Sequence, residues 1–290
     1  MNFFQAVFLG LVQALTEFLP VSSSAHLSFF GQLFDQGYAG DASPGFTAFT
    51  AIIQIGTEVA IILYFLKDIV RILKAWFTTF KTAVISGPKR ETAQKIGLDA
   101  TIGWMIVLGT IPIILSGVLL KNFVETTFRS LWITATMLIF VGILMLFADI
   151  RGKQQLNLTE LNTKRTLCYG LAQCFALIPG VSRSGATISA GRALGFNRET
   201  AARFSFYLSI PSIFGASIFE LKSALGDTGS LGFPGWGATI TATIVSFVGG
   251  YIVVAVFMKA ISHISLKGFV IYRIAFGGLI IALLSAGILV

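Results

Sequence analysis

Apolar and polar residues segregate along this chain in whole segments. Six apolar runs, at about 47–66, 102–120, 131–149, 203–222, 239–258 and 268–289, approach the ~20 residues that a helix needs to cross a bilayer. Two further apolar segments are too short and too polar to cross cleanly. One, 3–19, ends at Pro20 and runs into VSSSAHL; the other, 167–178, ends at Pro179-Gly180 and runs into VSRSGAT. Each predicts a helix that enters the membrane, breaks and turns back. Broken backbone at that depth is tolerated only inside protein or against a water-filled cavity. An interior site at the two breaks is therefore expected.

The two broken segments also match each other without a gap at an offset of 160 residues, GLVQALTEFLPVSSSAHL against GLAQCFALIPGVSRSGAT. Gly10, Leu11 and Gln13 recur as Gly170, Leu171 and Gln173, and Val21, Ser22 and Ser24 recur as Val181, Ser182 and Ser184. Three runs follow each break. Three is odd, so the second half is expected to sit inverted in the membrane, and inverted repeats with discontinuous helices place their site near the repeat interface. The expected fold is an all-α polytopic membrane protein with six transmembrane helices and two re-entrant helix–loop–helix segments. It forms one membrane domain, 1–290, built from an inverted-topology repeat, 1–150 and 165–290.

Composition strengthens the membrane reading. Charged residues make up 12% of the chain and apolar ones 55%, with 27 phenylalanines and a mean hydropathy of +0.83. Soluble domains carry roughly a quarter charged residues. The net charge of +8 does not imply nucleic acid, because the cations lie between apolar runs and form no stripe interleaved with aromatics. They act as topology signals. With the 67–95 segment cytoplasmic, one face holds fifteen cations (Lys67, Arg71, Lys74, Lys81, Lys89, Arg90, Lys95, Arg151, Lys153, Lys164, Arg165, Arg192, Arg198, Lys259 and Lys267). The other holds three, Lys121, Arg129 and Lys222. Both termini then face away from the cytoplasm. The N-terminal run has no basic start, carries Glu17 and reaches no small-residue cleavage site, so it reads as mature structure. Cys168 and Cys174 are expected as unpaired thiols, having no second pair to complete a metal site.

Candidate chemistry gathers at the breaks. Gln13 and Glu17, four apart, share a helix face, and a carboxylate in an apolar segment is costly unless paired or bound to a cation. Ser22, Ser23, Ser24 and His26 follow beyond Pro20. At the second break, glycines and a new helix start expose N–H groups that favour anions. Arg183 adds a planar, permanently charged donor suited to phosphate, and Ser182, Ser184 and Thr187 can donate further bonds. Glu58, beside Gln54, either lines the site or pairs with an arginine. Arg203 and Glu220 flank one run and are explained by snorkelling or pairing. His263 reads as solvated, and Gly249-Gly250 and Gly277-Gly278 as points of close helix contact.

The motifs LVQALTEFLPVSSSAH and PGVSRSGAT, with IQIGTEVAIILYF, ETAARFSFYLSIPSIFGA and Tyr272-Arg273, resemble the bacterial undecaprenyl-diphosphate phosphatase (bacitracin-resistance) family over essentially the whole chain. The resemblance implies a hydrolase in the bacterial cell membrane that converts undecaprenyl diphosphate to the monophosphate carrier lipid of cell-wall synthesis. It implies a divalent cation, Mg²⁺ with Ca²⁺ as an alternative, and Glu17 as a metal-linked or acid/base carboxylate. Ser23 and His26 are then candidates for nucleophile or general acid. Gln13, Ser22, Ser24, Ser182, Arg183, Ser184 and Thr187 would hold the diphosphate, with Arg273 a supporting phosphate ligand. Gln13 stands where many members carry glutamate, which leaves one carboxylate fewer for a metal. The usual Ser-Ser-Thr-Gly-His is Ser22-Ser23-Ser24-Ala25-His26, which keeps the hydroxyls. Ser23 with His26 as base, His26 itself, or an activated water remain alternative nucleophiles. A polyprenyl-phosphate flippase or transporter would share the repeat architecture and is the competing reading, and a homodimer is left open.

Overall fold

The computed structural model describes residues 1–34, 44–86, 97–120, 130–227, 230 and 233–289. Eleven α-helices account for most of them: α1 (Phe3–Thr16), α2 (Ser23–Leu33), α3 (Pro44–Tyr64), α4 (Leu66–Ser86), α5 (Leu98–Leu119), α6 (Leu131–Arg151), α7 (Thr163–Cys174), α8 (Arg183–Ala193), α9 (Arg198–Asp227), α10 (Trp236–Ala260) and α11 (Lys267–Ser285). Among the described residues no strand forms, and only a Leu156–Phe196 bridge links extended backbone.

Among the described residues five helices, α3, α5, α6, α10 and α11, are long and apolar enough to cross a membrane. The sixth expected run, 203–222, lies within α9. The outer faces of these helices are oily: Ile271 is 68% exposed, Val118 74% and Ile244 56%. Such contiguous apolar surface is unfavourable in water and natural against lipid.

Both short segments break as expected. α1 starts from a capping box, with Gln5 N–H donating to Asn2 Oδ1 at 2.9 Å and Asn2 N–H to Gln5 Oε1 at 2.8 Å, and stops before Pro20. α7 starts from Asn162, tightens into a 3₁₀ turn at Phe175–Leu177 and stops before Pro179. The following helices, α2 and α8, have 11 residues each and begin 160 positions apart. The repeated glycines do matching work. A Cβ on Gly10 would sit 2.4 Å from the Ala242 carbonyl oxygen of α10, and one on Gly170 would sit 2.6 Å from the Gly109 carbonyl oxygen of α5. Close approach of backbones therefore seats α1 on α10 and α7 on α5. Gly249, Gly250 and Gly277 are also tight contacts, a Cβ there meeting Ala14, Thr57 and Ile139 within 3.0 Å, whereas Gly278 has open space.

Two features depart from the sequence expectations. The stretch after α3, read as a cation-bearing connection, contains the helix α4, whose Ile69, Ile72, Trp76 and Phe80 recur at helical spacing and pack toward α5. Arg192, counted with the cytoplasmic cations, is wholly buried. Its Nε donates to Asp149 Oδ1 at 2.9 Å, and Arg198 meets the same carboxylate through Nε at 2.8 Å and Nη2 at 3.0 Å. This cluster ties the ends of α6, α8 and α9 together. Arg203 pairs with Asp68 at 3.0 Å and Glu199 at 3.2 Å, while His263 is exposed in a turn and both cysteines are free. Lys89, Arg90, Lys95, Lys121 and Arg129, and the side chains of Glu220 and Lys222, lie outside the described residues.

Candidate active site

The two breaks are built alike and meet. Ser22 and Ser182 each cap the following helix, and both hold a left-handed backbone, φ 76° and 67°. Non-glycine residues rarely adopt that conformation, and it reverses the chain within one residue. Each cap hydroxyl accepts a helix N–H, from Ala25 at 3.4 Å and from Gly185 at 3.1 Å. Each also lies by the serine two positions on, Ser22 to Ser24 at 3.0 Å and Ser182 to Ser184 at 3.1 Å. The breaks then cross-connect. Ser184 Oγ donates to the Leu19 carbonyl at 3.2 Å, and Gly180 N–H points at Ser24 Oγ at 3.5 Å.

Arg273 clamps this junction. Its guanidinium is fully buried and donates to carbonyls of Pro20 (3.1 Å), Gly180 (2.9 Å) and Val181 (3.1 Å), with Leu138 (3.1 Å) and Met137 (3.4 Å) on α6. Helix ends leave orphan carbonyls that must find donors when buried. All three nitrogens of Arg273, expected as a supporting phosphate ligand, face backbone oxygens. Thr187 is likewise engaged, bonded to the Arg183 carbonyl at 2.7 Å and to the Ser205 hydroxyl.

Glu17 is the hub. One oxygen accepts from Ser23 Oγ at 2.7 Å and Gln13 Nε2 at 3.0 Å; the other accepts from Arg183 Nη2 at 3.2 Å. Ser23 and Arg183 are the first residues of α2 and α8, the same position in the two repeated motifs, and they converge on one carboxylate. The side chains of Glu17 and Arg183 are 9% and 12% exposed, so the pair is largely desolvated and strong only if its geometry holds. Arg183 Nη1 is buried without a hydrogen-bond partner among the described residues. Gln13 reaches on to Thr57 Oγ1 at 3.2 Å, and the neighbouring Glu58 lies within electrostatic reach of Arg183.

His26 sits apart from Ser23. Its Nδ1 is 2.7 Å from the Ser22 carbonyl oxygen, which can only accept, so Nδ1 carries the hydrogen and Nε2 accepts from the Tyr272 hydroxyl at 2.6 Å. The ring stacks on Phe276, centroids 4.3 Å apart. His26 is buried, while Tyr272 is 45% exposed. The Ser23–His26 pair is not a hydrogen bond in the structure; the Ser23 partner is Glu17. Tyr272 was visible only as the neighbour of Arg273, since nothing in its local sequence marks a contact 246 residues away.

No group of three or more His, Cys, Asp or Glu side chains able to hold a metal occurs among the described residues. The donors nonetheless fit a hard divalent cation, which commonly takes one or two carboxylates and fills its remaining positions with phosphate oxygens and water. Glu17 and Glu58 both bear on Arg183.

A family profile described as bacitracin resistance protein BacA matches residues 6–279. An undecaprenyl-diphosphatase of Bifidobacterium adolescentis is 52% identical over 295 residues, covering 100% of this chain and 97% of that protein. Proteins of the same name from Bifidobacterium animalis subsp. lactis and Micrococcus luteus are 50% and 46% identical, each over 100% of this chain and over 96% and 99% of their own length.

Proposed function

The chain belongs to the bacitracin resistance protein BacA family, and from that premise we propose that it hydrolyses undecaprenyl diphosphate to undecaprenyl phosphate and inorganic phosphate at the junction of the two breaks. The observation that carries the reading is the Glu17 carboxylate, which holds a serine hydroxyl of one break and the arginine of the other. Diphosphate hydrolysis needs charge neutralisation, an in-line nucleophile and a proton for the leaving oxygen. Arg183 supplies a fixed positive charge with a free Nη1 for a phosphate oxygen. Ser23 is placed to attack, and Glu17, already accepting its hydrogen bond at 2.7 Å, is placed to take its proton. A Ser23 Oγ–phosphorus bond forms as the bridging oxygen–phosphorus bond breaks, and Glu17 passes the serine proton to the prenyl monophosphate as it leaves. Water then cleaves the phosphoserine ester, its proton going to the freed Glu17 carboxylate and from there to Ser23 Oγ.

Glu17, with Glu58, would hold a divalent cation, Mg²⁺ or Ca²⁺. When bound, the cation neutralises phosphate charge. Ser22, Ser24, Ser182 and Ser184 shape the cradle through their hydrogen bonds across the two turns. Tyr272 holds the tautomer of His26 and links that buried ring to the exterior. Arg273 positions both breaks without touching phosphate.

The halves 1–150 and 165–290 are read as an inverted repeat in a bacterial cell membrane, with the site at their interface. Equal helix lengths at an offset of 160, matched Gly10 and Gly170 contacts and matched serine caps support this. The same repeat supports a second reading, a prenyl-phosphate transporter, because such architectures also move substrates.

The test is phosphate release from a C55 prenyl diphosphate by detergent-purified protein, with Mg²⁺ and with chelator. Folded Ser23→Ala and Arg183→Ala variants are expected to lose at least about 10²-fold in kcat/KM. A protein that moves the lipid but releases no phosphate would establish the transporter instead.

A further inference from the structure

α4 carries a surface that the candidate site does not use. Going round this helix at roughly 100° per residue, one edge holds Ile72, Ile69 and Trp76, which turn inward. Trp76 meets Trp104 of α5 edge-on, centroids 5.2 Å apart, and Ile72 is 4% exposed. The middle of the apolar arc is uncovered: Val70 is 41% exposed, Leu73 45% and Phe77 59%. Next in order round the helix come Lys81, Lys74 and Lys67, all exposed and without a salt bridge among the described residues. The neighbouring Arg71 differs, since it is held by Asp68 at 3.1 Å and Asp99 at 3.0 Å.

The helix stands at the end of two candidate spans. Only Phe65 separates it from α3, and its ring and charge contacts with α5 fall between Asp99 and Trp104, the first two turns of that helix. An oily strip bordered by a row of unpaired lysines, at the end of membrane-length helices, matches a helix lying in the bilayer interface. There the apolar face enters the acyl boundary and the cations meet anionic headgroups. A protein partner would need acidic groups opposite the lysines and an apolar groove for Phe77. A bilayer supplies both without a dedicated surface.

We propose that α4 is an anionic-phospholipid binding surface, with Val70, Leu73 and Phe77 seated among acyl chains and Lys67, Lys74 and Lys81 bound to headgroup phosphates. It also explains why the cations of this stretch are spaced along a helix face.

The full-length protein in vesicles is tested with spin-labelled phosphatidylglycerol and phosphatidylcholine, by the fraction of each held at the protein surface. The wild type is expected to favour phosphatidylglycerol several-fold. The Lys67→Gln/Lys74→Gln/Lys81→Gln variant is expected to hold the two at roughly equal levels while keeping its phosphate release, which shows that it is folded. A spin label on Phe77→Cys, with Cys168→Ser and Cys174→Ser, is expected to collide with oxygen more than with a water-soluble nickel relaxant. Equal affinity for the two lipids in the wild type would overturn the proposal. So would a label at 77 open to the nickel reagent, or one shielded from both because a second copy covers it.

Discussion

Two arginines at the junction do opposite jobs, and their partners separate them. Arg273 gives every nitrogen to backbone carbonyls, whereas Arg183 keeps one nitrogen free. Arg273→Ala would strand buried carbonyls from both breaks, and is expected to cost on the order of 3–5 kcal/mol of stability, read as a lower unfolding temperature in detergent. Arg183→Ala removes one partner of a desolvated pair and should lower that temperature less, because Ser23 and Gln13 still hold the Glu17 carboxylate, while abolishing turnover. A similar fall for both variants would mean that Arg183 is structural too. Tyr272→Phe tests the histidine link. It removes only the hydroxyl that faces His26 Nε2, and kcat/KM is expected to drop about tenfold with the fold intact; an unchanged rate would show that His26 needs no such partner. Sequence revealed these residues unevenly. Glu17, Ser23 and Arg183 stand out because polar groups in apolar segments demand an explanation. The Tyr272 contact and the saturation of Arg273 do not, since each depends on groups more than 90 residues away in the chain.

At the level of helices, the two matching breaks were legible because both must satisfy the same local physics. A proline ends one helix, a serine caps the next, and a glycine lets the first helix touch its neighbour's backbone. Gly170→Val tests the last of these. A side chain there would collide with the Gly109 carbonyl 2.6 Å away and with Pro112, so α7 must shift from α5. Loss of both stability and activity is expected by thermal unfolding and phosphate release, whereas the same change at Gly117, which faces open space, should be silent. Equal tolerance at both positions would contradict the packing. α4 was harder to see, because its lysines and Arg71 read as loop charges until the apolar residues are placed on a wheel. The Asp149–Arg192–Arg198 cluster was hidden by distance: Asp149 lies 43 residues from Arg192 and looks, locally, like the solvated end of a span.

For the whole molecule, the two halves carry different groups at matched positions. Positions matched by the repeat carry Ser23 in one half and Arg183 in the other, and Glu17 faces Leu177 in the alignment, so neither break holds a complete site. On the proposed reading, hydrolysis requires the two halves to be docked. That requirement is tested most directly by a double-mutant cycle on kcat/KM for phosphate release, using Glu17→Gln, Arg183→Ala and the pair. Since the two side chains meet at 3.2 Å and serve one reaction, their effects should be strongly non-additive, the double variant losing no more than about tenfold beyond the worse single one. Additivity within about 0.5 kcal/mol would mean that the two breaks act independently, and would contradict a single active site built between them.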